Sequence, residues 1–114
     1  MKQLILFLII LGLITSCTVQ KPLYSYGKYE TLSYNYLKNS DEKSTQDLLD
    51  SYKSIIEKQT GTRMVPPPGL YADYAFILLQ IGKTEEGKTF LLKEVELYPE
   101  SKTFIDRILK MLER

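Results

Sequence analysis

The 34-residue stretch "PGLYADYAFILLQIGKTEEGKTFLLKEVELYPES", Pro68 to Ser101, admits few folds. Leu70 to Ile81 is a strongly apolar run at helical length, closed by Gly82. Lys83 to Tyr98 follows as a second helix with Phe90, Leu91, Val95 and Leu97 as its apolar residues. Pro99 ends that helix, because proline has no N–H to continue the ladder. A connection this short makes the two helices antiparallel neighbours.

The remaining chain carries helical spacing and no strand-like alternation. From Lys28 to Lys38, the residues Tyr29, Leu32, Tyr36 and Leu37 share one face at i, i+3, i+7 and i+8. The polar break "NSDEKS" follows. Ser44 with Asp47 reads as a capping box with Asp in place of Glu or Gln. Leu48, Leu49, Tyr52, Ile55 and Ile56 form an amphipathic stripe over Ser44 to Gln59 that stops at Gly61. In "GTRMVPPPG", Pro66 and Pro67 remove donors and push their predecessors towards extended backbone. Pro68 suits the first turn of the next helix. The segment reads as a stiff connector, with a polyproline II ligand as the alternative. Phe104, Ile105, Ile108, Leu109 and Leu112 make the apolar stripe of a last helix from about Ser101. The expected fold is all-α: about five helices, as two antiparallel hairpins and a C-terminal capping helix.

The Pro68–Ser101 hairpin resembles a tetratricopeptide repeat, whose period is 34 residues. Tyr71 stands at the opening aromatic position and Tyr74-Ala75 at the apolar-then-small pair. Leu78 stands where tyrosine is common. Gly82 takes the turn, Gly87 the small crossing position, Leu91 the large apolar one, and Pro99 closes the unit. Small residues at Ala75 and Gly87 let the helices approach closely. The chain departs from the pattern at Thr84, in place of tyrosine, and at Glu94, in place of a small residue. "GKYETLSYNYLK" (27–38) echoes "GKTEEGKTFLLK" (82–93) at a fixed offset. The resemblance implies one repeat-like hairpin within a minimal, capped assembly.

The N-terminus has a different character. Lys2 precedes the apolar run Leu4 to Ile14, which is too short to span a bilayer and has the make-up of a secretory signal. "Ile14-Thr15-Ser16-Cys17" resembles the lipobox of bacterial lipoproteins. That resemblance implies cleavage before Cys17 and a diacylglycerol thioether on its sulfur. Two or three acyl chains on one residue anchor stably where one would not. Residue 18 is Thr18 and not the aspartate that marks inner-membrane retention in that family. The outer membrane is therefore implied, with the domain on its periplasmic side, or the cell membrane in an organism without an outer one. The expected organisation is a signal peptide over 1–16, a lipidated tether over 17–23 and a helical domain over 24–114.

Composition removes several functional classes. Of 15 basic residues Lys2 leaves with the signal, so basic and acidic groups balance at 14 each. A near-neutral chain without a basic cluster argues against nucleic acid as a partner. There is no histidine, and the one cysteine is assigned to lipid. Ser-His and Cys-His nucleophilic systems are excluded, along with nearly all zinc sites. Paired carboxylates remain at Glu85/Glu86 and Glu94/Glu96. Both pairs lie on a helix whose exposed face is expected to be charged. Gly82 and Gly87 lack the strand context of a phosphate-binding loop. No catalytic residue, no metal site and no cofactor beyond lipid on Cys17 is expected.

The mature chain as a whole resembles a small, uncharacterised family of bacterial lipoproteins, a domain of unknown function. The resemblance rests on an aromatic segment soon after the lipid, on Val65–Gly69, and on Tyr98–Ser101 closing the hairpin. Its members tend to be encoded beside a lipoprotein similar to the curli secretion channel and a second small lipoprotein. This implies a non-enzymatic adaptor for another envelope or secretion-related protein, with a peptide or cell-wall-fragment binder as the alternative. Within "YSYGKYETLSYNY" (24–36), Tyr29 and Tyr36 belong to the helix core face. Tyr24, Tyr26 and Tyr34 fall off it and are the candidate partner contacts, since aromatic residues are enriched at interfaces.

Overall fold

The computed structural model describes residues 1–14 and 17–114. Thr15 and Ser16 of the lipobox lie outside the described residues. Six α-helices run in chain order: α1 (Lys2–Ile14), α2 (Tyr29–Asn39), α3 (Glu42–Glu57), α4 (Leu70–Gln80), α5 (Thr84–Leu97) and α6 (Lys102–Leu112), with a 3-10 turn at Pro99–Ser101 before α6. Among the described residues there is no strand, and no helix is long and apolar enough to cross a membrane. The apolar side chains of α1 from Leu4 to Leu11 are all at least half exposed. The all-α expectation of five helices beyond the N-terminal segment holds for α2 to α6.

α2 pairs with α3 and α4 with α5, and contacts between α3 and α4 and between α5 and α6 join the pairs in sequence order. Both pairs are antiparallel: Tyr29 at the start of α2 meets Tyr52 late in α3, with ring centroids 5.6 Å apart. One core lies between the pairs, where Leu48, Leu49, Tyr52 and Ile55 of α3 meet Leu70, Tyr74, Ile77 and Leu78 of α4. A chain of rings runs through it, from Tyr29 to Tyr52 to Tyr74 to Phe90, the last pair edge-to-face at 4.6 Å. Burial pushes the Tyr74 phenol up to about 12 and raises that of Tyr52 further. A second core joins α6 to the α4–α5 hairpin through Ala75, Leu91 and Ile105. Gly87 is the reason α4 and α5 approach so closely. A β-carbon there would lie 2.8 Å from Leu79 Cγ and 3.2 Å from the Ala75 carbonyl oxygen.

Several local expectations are corrected. The α3 capping box is Asp41 with Ser44, not Ser44 with Asp47. The Asp41 carboxylate accepts from the Ser44 N–H at 2.7 Å, and the Asp41 N–H donates back to Ser44 Oγ at 3.2 Å. Extended backbone at Asp41 makes it the N-cap, so Ser44 becomes the third helical residue. Asp47 instead pairs with Lys43 at 2.7 Å. Helix α3 stops at Glu57, and Pro68 falls outside α4, whose N-cap is Gly69 at φ +87°. Leu37, placed on the α2 core face, is 74% exposed, with no element among the described residues covering that side of the helix.

The chain joins the fold earlier than its helices suggest. Pro22 and Leu23 carbonyls accept from the Thr62 and Arg63 N–H groups, each at 3.1 Å. Gln59, buried just beyond α3, reaches back to the same strip. Its Oε1 accepts from the Ser25 N–H and hydroxyl at 2.5 and 2.8 Å, and its amide donates to the Ser25 carbonyl at 3.2 Å. Gly61 sits against the Leu23–Tyr24 backbone, with no room for a side chain.

Candidate functional site

The last turn of α5 grips the proline-rich connector. The Tyr98 hydroxyl donates to the Pro66 carbonyl at 2.5 Å, and Glu94 Oε1 accepts from the Gly69 N–H at 2.7 Å. Burial raises the Tyr98 phenol well above its ordinary value, and its hydrogen bond with Tyr24 adds to that. Glu94 thus satisfies one of the free N–H groups at the start of α4, where a negative charge also meets the positive end of the helix dipole. Its second oxygen, Oε2, is buried and has no hydrogen-bond partner among the described residues. Expected on a solvated face, Glu94 is 2% exposed. It follows Gly87 at i+7 and Leu91 at i+3, and all three are buried.

Beyond Tyr98 the chain turns sharply. The Tyr98 carbonyl accepts from both the Ser101 N–H and its hydroxyl, at 3.0 and 2.7 Å. That turn lays α6 along the hairpin with Ile105 fully buried and Ile108, Leu109 and Leu112 partly so. Phe104 and Met111 remain outside, 61% and 64% exposed. Phe76 of α4 is exposed to a similar extent. Between α4 and α6 these side chains border an open apolar groove of about 410 Å³, floored by Leu79, Ile108 and Leu112, with Gln80 as its one polar lining residue.

Phe104 also borders a second cleft of about 320 Å³ at the N-terminal ends of the same two helices. Asp73, Glu94 and Glu100 line it with Tyr98 and Ser101, and no basic residue does. Phe104 lines both clefts, so the acidic and the apolar lining lie on either side of one side chain along α6. No sequence signal marked this groove as a site; the Gly87–Leu91–Glu94 spacing was the one clue that a carboxylate is buried there.

The tyrosines singled out in the sequence do not form one site. Tyr24 is half-buried and contacts Tyr98. Tyr26 is 46% exposed, its ring 6.4 Å from that of Tyr29. Tyr34 is 63% exposed on the side of α2 away from the core. Tyr29 and Tyr36 do pack on the core, and the Tyr36 hydroxyl donates to Gln80 Oε1 at 2.7 Å.

The carboxylate pairs are not arranged for joint chemistry. Glu85 lies 3.0 Å from Lys88 and Glu86 3.8 Å from Lys83, at the N-terminal end of α5. Glu94 is buried while Glu96 is exposed. Among the described residues no cluster of His, Cys, Asp or Glu has the geometry to hold a metal ion. Cys17 is an exposed free thiol.

No curated protein and no solved structure matches the chain. A family model does, over residues 23–108, beginning at the strip that docks on the α3–α4 connector and ending within α6. The chain belongs to the family described as a domain of unknown function, DUF4810.

Proposed function

We propose that this protein is a lipid-anchored envelope protein that works by binding another protein and not by catalysis. The observation that carries the reading is the uncovered groove between α4 and α6. Phe76, Phe104 and Met111 are large apolar side chains left in water beside a 410 Å³ cleft, and contiguous exposed apolar surface of this kind marks interaction sites. The steric match of Ala75 and Gly87 to a repeat hairpin supports a tetratricopeptide-like role for the α4–α5 unit. The anchor rests on the lipobox resemblance at Cys17, and the absence of aspartate at residue 18 favours the outer membrane. The neighbours implied by the family resemblance make another envelope lipoprotein or a secretion-channel-like protein the leading partner.

Two measurements test this reading. Metabolic labelling with a palmitate analogue is expected to mark the wild-type chain and not Cys17→Ala, which should also leave the membrane fraction. Purification of the lipidated protein from its own envelope is expected to bring down one dominant protein; recovery of none sinks the adaptor reading.

A further inference from the structure

The α4–α6 groove is asymmetric in charge along its length. At one end stand Asp73, Glu94 and Glu100 without a basic residue among the lining groups. At the other the lining is apolar apart from Gln80. Asp73 and Glu100 are exposed, whereas Glu94 in the wall of the same cleft is 98% buried, with Oε2 unpartnered among the described residues. A carboxylate oxygen removed from water without a donor is strongly unfavourable, and a cationic N–H group is the partner that relieves it best.

Resting on the adaptor reading above, we propose that the groove binds a partner segment of fixed polarity. A lysine or arginine enters the Asp73–Glu94–Glu100 cleft, and apolar side chains follow along Phe104, Phe76 and Met111. A long basic side chain suits the junction, because its methylene stem covers Phe104 while its head reaches the carboxylates. The eleven residues of α6 give the groove a length of roughly 16 Å, about three helical turns. Apolar anchors at i, i+3 or i+4, and i+7 on an amphipathic helix lying in a groove span about 10 Å, which leaves a further turn for the basic residue. The reversed orientation would place the basic side chain against the apolar end, where Gln80 is the one polar lining residue.

Site-specific photo-crosslinking in the native envelope tests this. A benzophenone amino acid is placed at position 76, 104 or 111 of the full lipidated chain, and the crosslinked peptide is sequenced. The expected peptide comes from a different protein and has helically spaced apolar residues with a lysine or arginine at the end that meets position 104. Changing that basic residue to glutamate in the partner should weaken the complex at least tenfold. The double variant Asp73→Lys/Glu100→Lys, checked for an unchanged unfolding midpoint, should restore it. Crosslinks to a second copy of this chain, to a segment without a basic residue, or to nothing overturn the proposal, as does failure of the charge swap to rescue. The same probe at position 26 or 34 keeps the two readings apart. A partner captured only there removes the groove proposal and leaves the adaptor reading standing, whereas no co-purifying partner at all removes the adaptor reading itself.

Discussion

Gly87 of α5 faces Leu79 of α4 so closely that any β-carbon at position 87 would stand 2.8 Å from Leu79 Cγ and 2.9 Å from its Cδ2. The contact sets the spacing of the central hairpin. Through Leu79 it also sets the floor of the groove, since that side chain lines the apolar end.

Gly87→Ala weighs two opposed effects. Alanine is favoured over glycine inside a helix by about 1 kcal/mol, while overpacking a tight contact costs about 1–3 kcal/mol. The Ala75 carbonyl at 3.2 Å is backbone and yields little, so the clash wins. A net loss of about 1 kcal/mol is expected for Gly87→Ala in urea unfolding, and about 3 kcal/mol or more for Gly87→Val. A stabilised Gly87→Ala protein would show that the helices are free to separate.

Gly61→Ala acts on the other side of the molecule. Its β-carbon would overlap the Leu23 carbonyl and Tyr24 Cα, which are backbone atoms with nowhere to move except off the connector. The bonds from Thr62 and Arg63 to Pro22 and Leu23 should break. Amide hydrogen exchange at Thr62 and Arg63 is expected to accelerate at least tenfold, while amides in α4 and α5 keep their protection. The stability loss should be about 2 kcal/mol, the sum of two hydrogen bonds of ordinary net strength.

Glu94 separates shape from charge. Glu94→Ala removes the acceptor of the Gly69 N–H and leaves a hole beside Leu91. About 2–3 kcal/mol of stability should be lost. Glu94→Gln keeps the acceptor and the volume, so it should retain most of the stability, as read from denaturant midpoints. Equal losses in the two variants would show that the charge, and not the hydrogen bond, holds α4 to α5.

The α3 cap supplies a pH signature. Its hydrogen bonds with Ser44, side chain first and backbone second, hold the Asp41 carboxyl below its ordinary value of 3.8. A carboxyl depressed in the folded state contributes stability above its unfolded value and loses it as the pH falls through the folded one. The wild-type melting temperature should therefore decline between about pH 4 and pH 2 more steeply than that of Asp41→Asn, which caps without titrating. Parallel melting curves would show that Asp41 is not the capping group in solution.

Helical periodicity gave away the elements more readily than the site. The stripes of α3 and α6 were legible because Leu48, Leu49, Tyr52 and Ile55, like Ile105 and Leu109, recur at the spacing of one helical face. Periodicity says which residues share a face and not whether anything covers it. Leu37 and Phe104 belong to apolar faces and still stand in water, and the groove exists because of residues of the second kind. Glu94 was hidden for the opposite reason. A charged residue on an amphipathic helix reads as solvated unless its register with Gly87 and Leu91 is weighed above its charge. Gln59 escaped notice because its partners, the Ser25 backbone and hydroxyl, lie 34 positions away in the chain.

The docking of Pro22 on the connector has a consequence for how the molecule would search for partners. If Cys17 carries the lipid, the leash is only the five peptide steps from Cys17 to Pro22, about 17 Å at full stretch. A domain of this size has a radius of gyration of roughly 12 Å and so a diameter of about 30 Å, which makes the leash shorter than the body it holds. The domain would roll on the bilayer surface without reaching across the space beyond it. Its encounters would be two-dimensional, and its partner would have to present its docking segment within a few nanometres of the same leaflet.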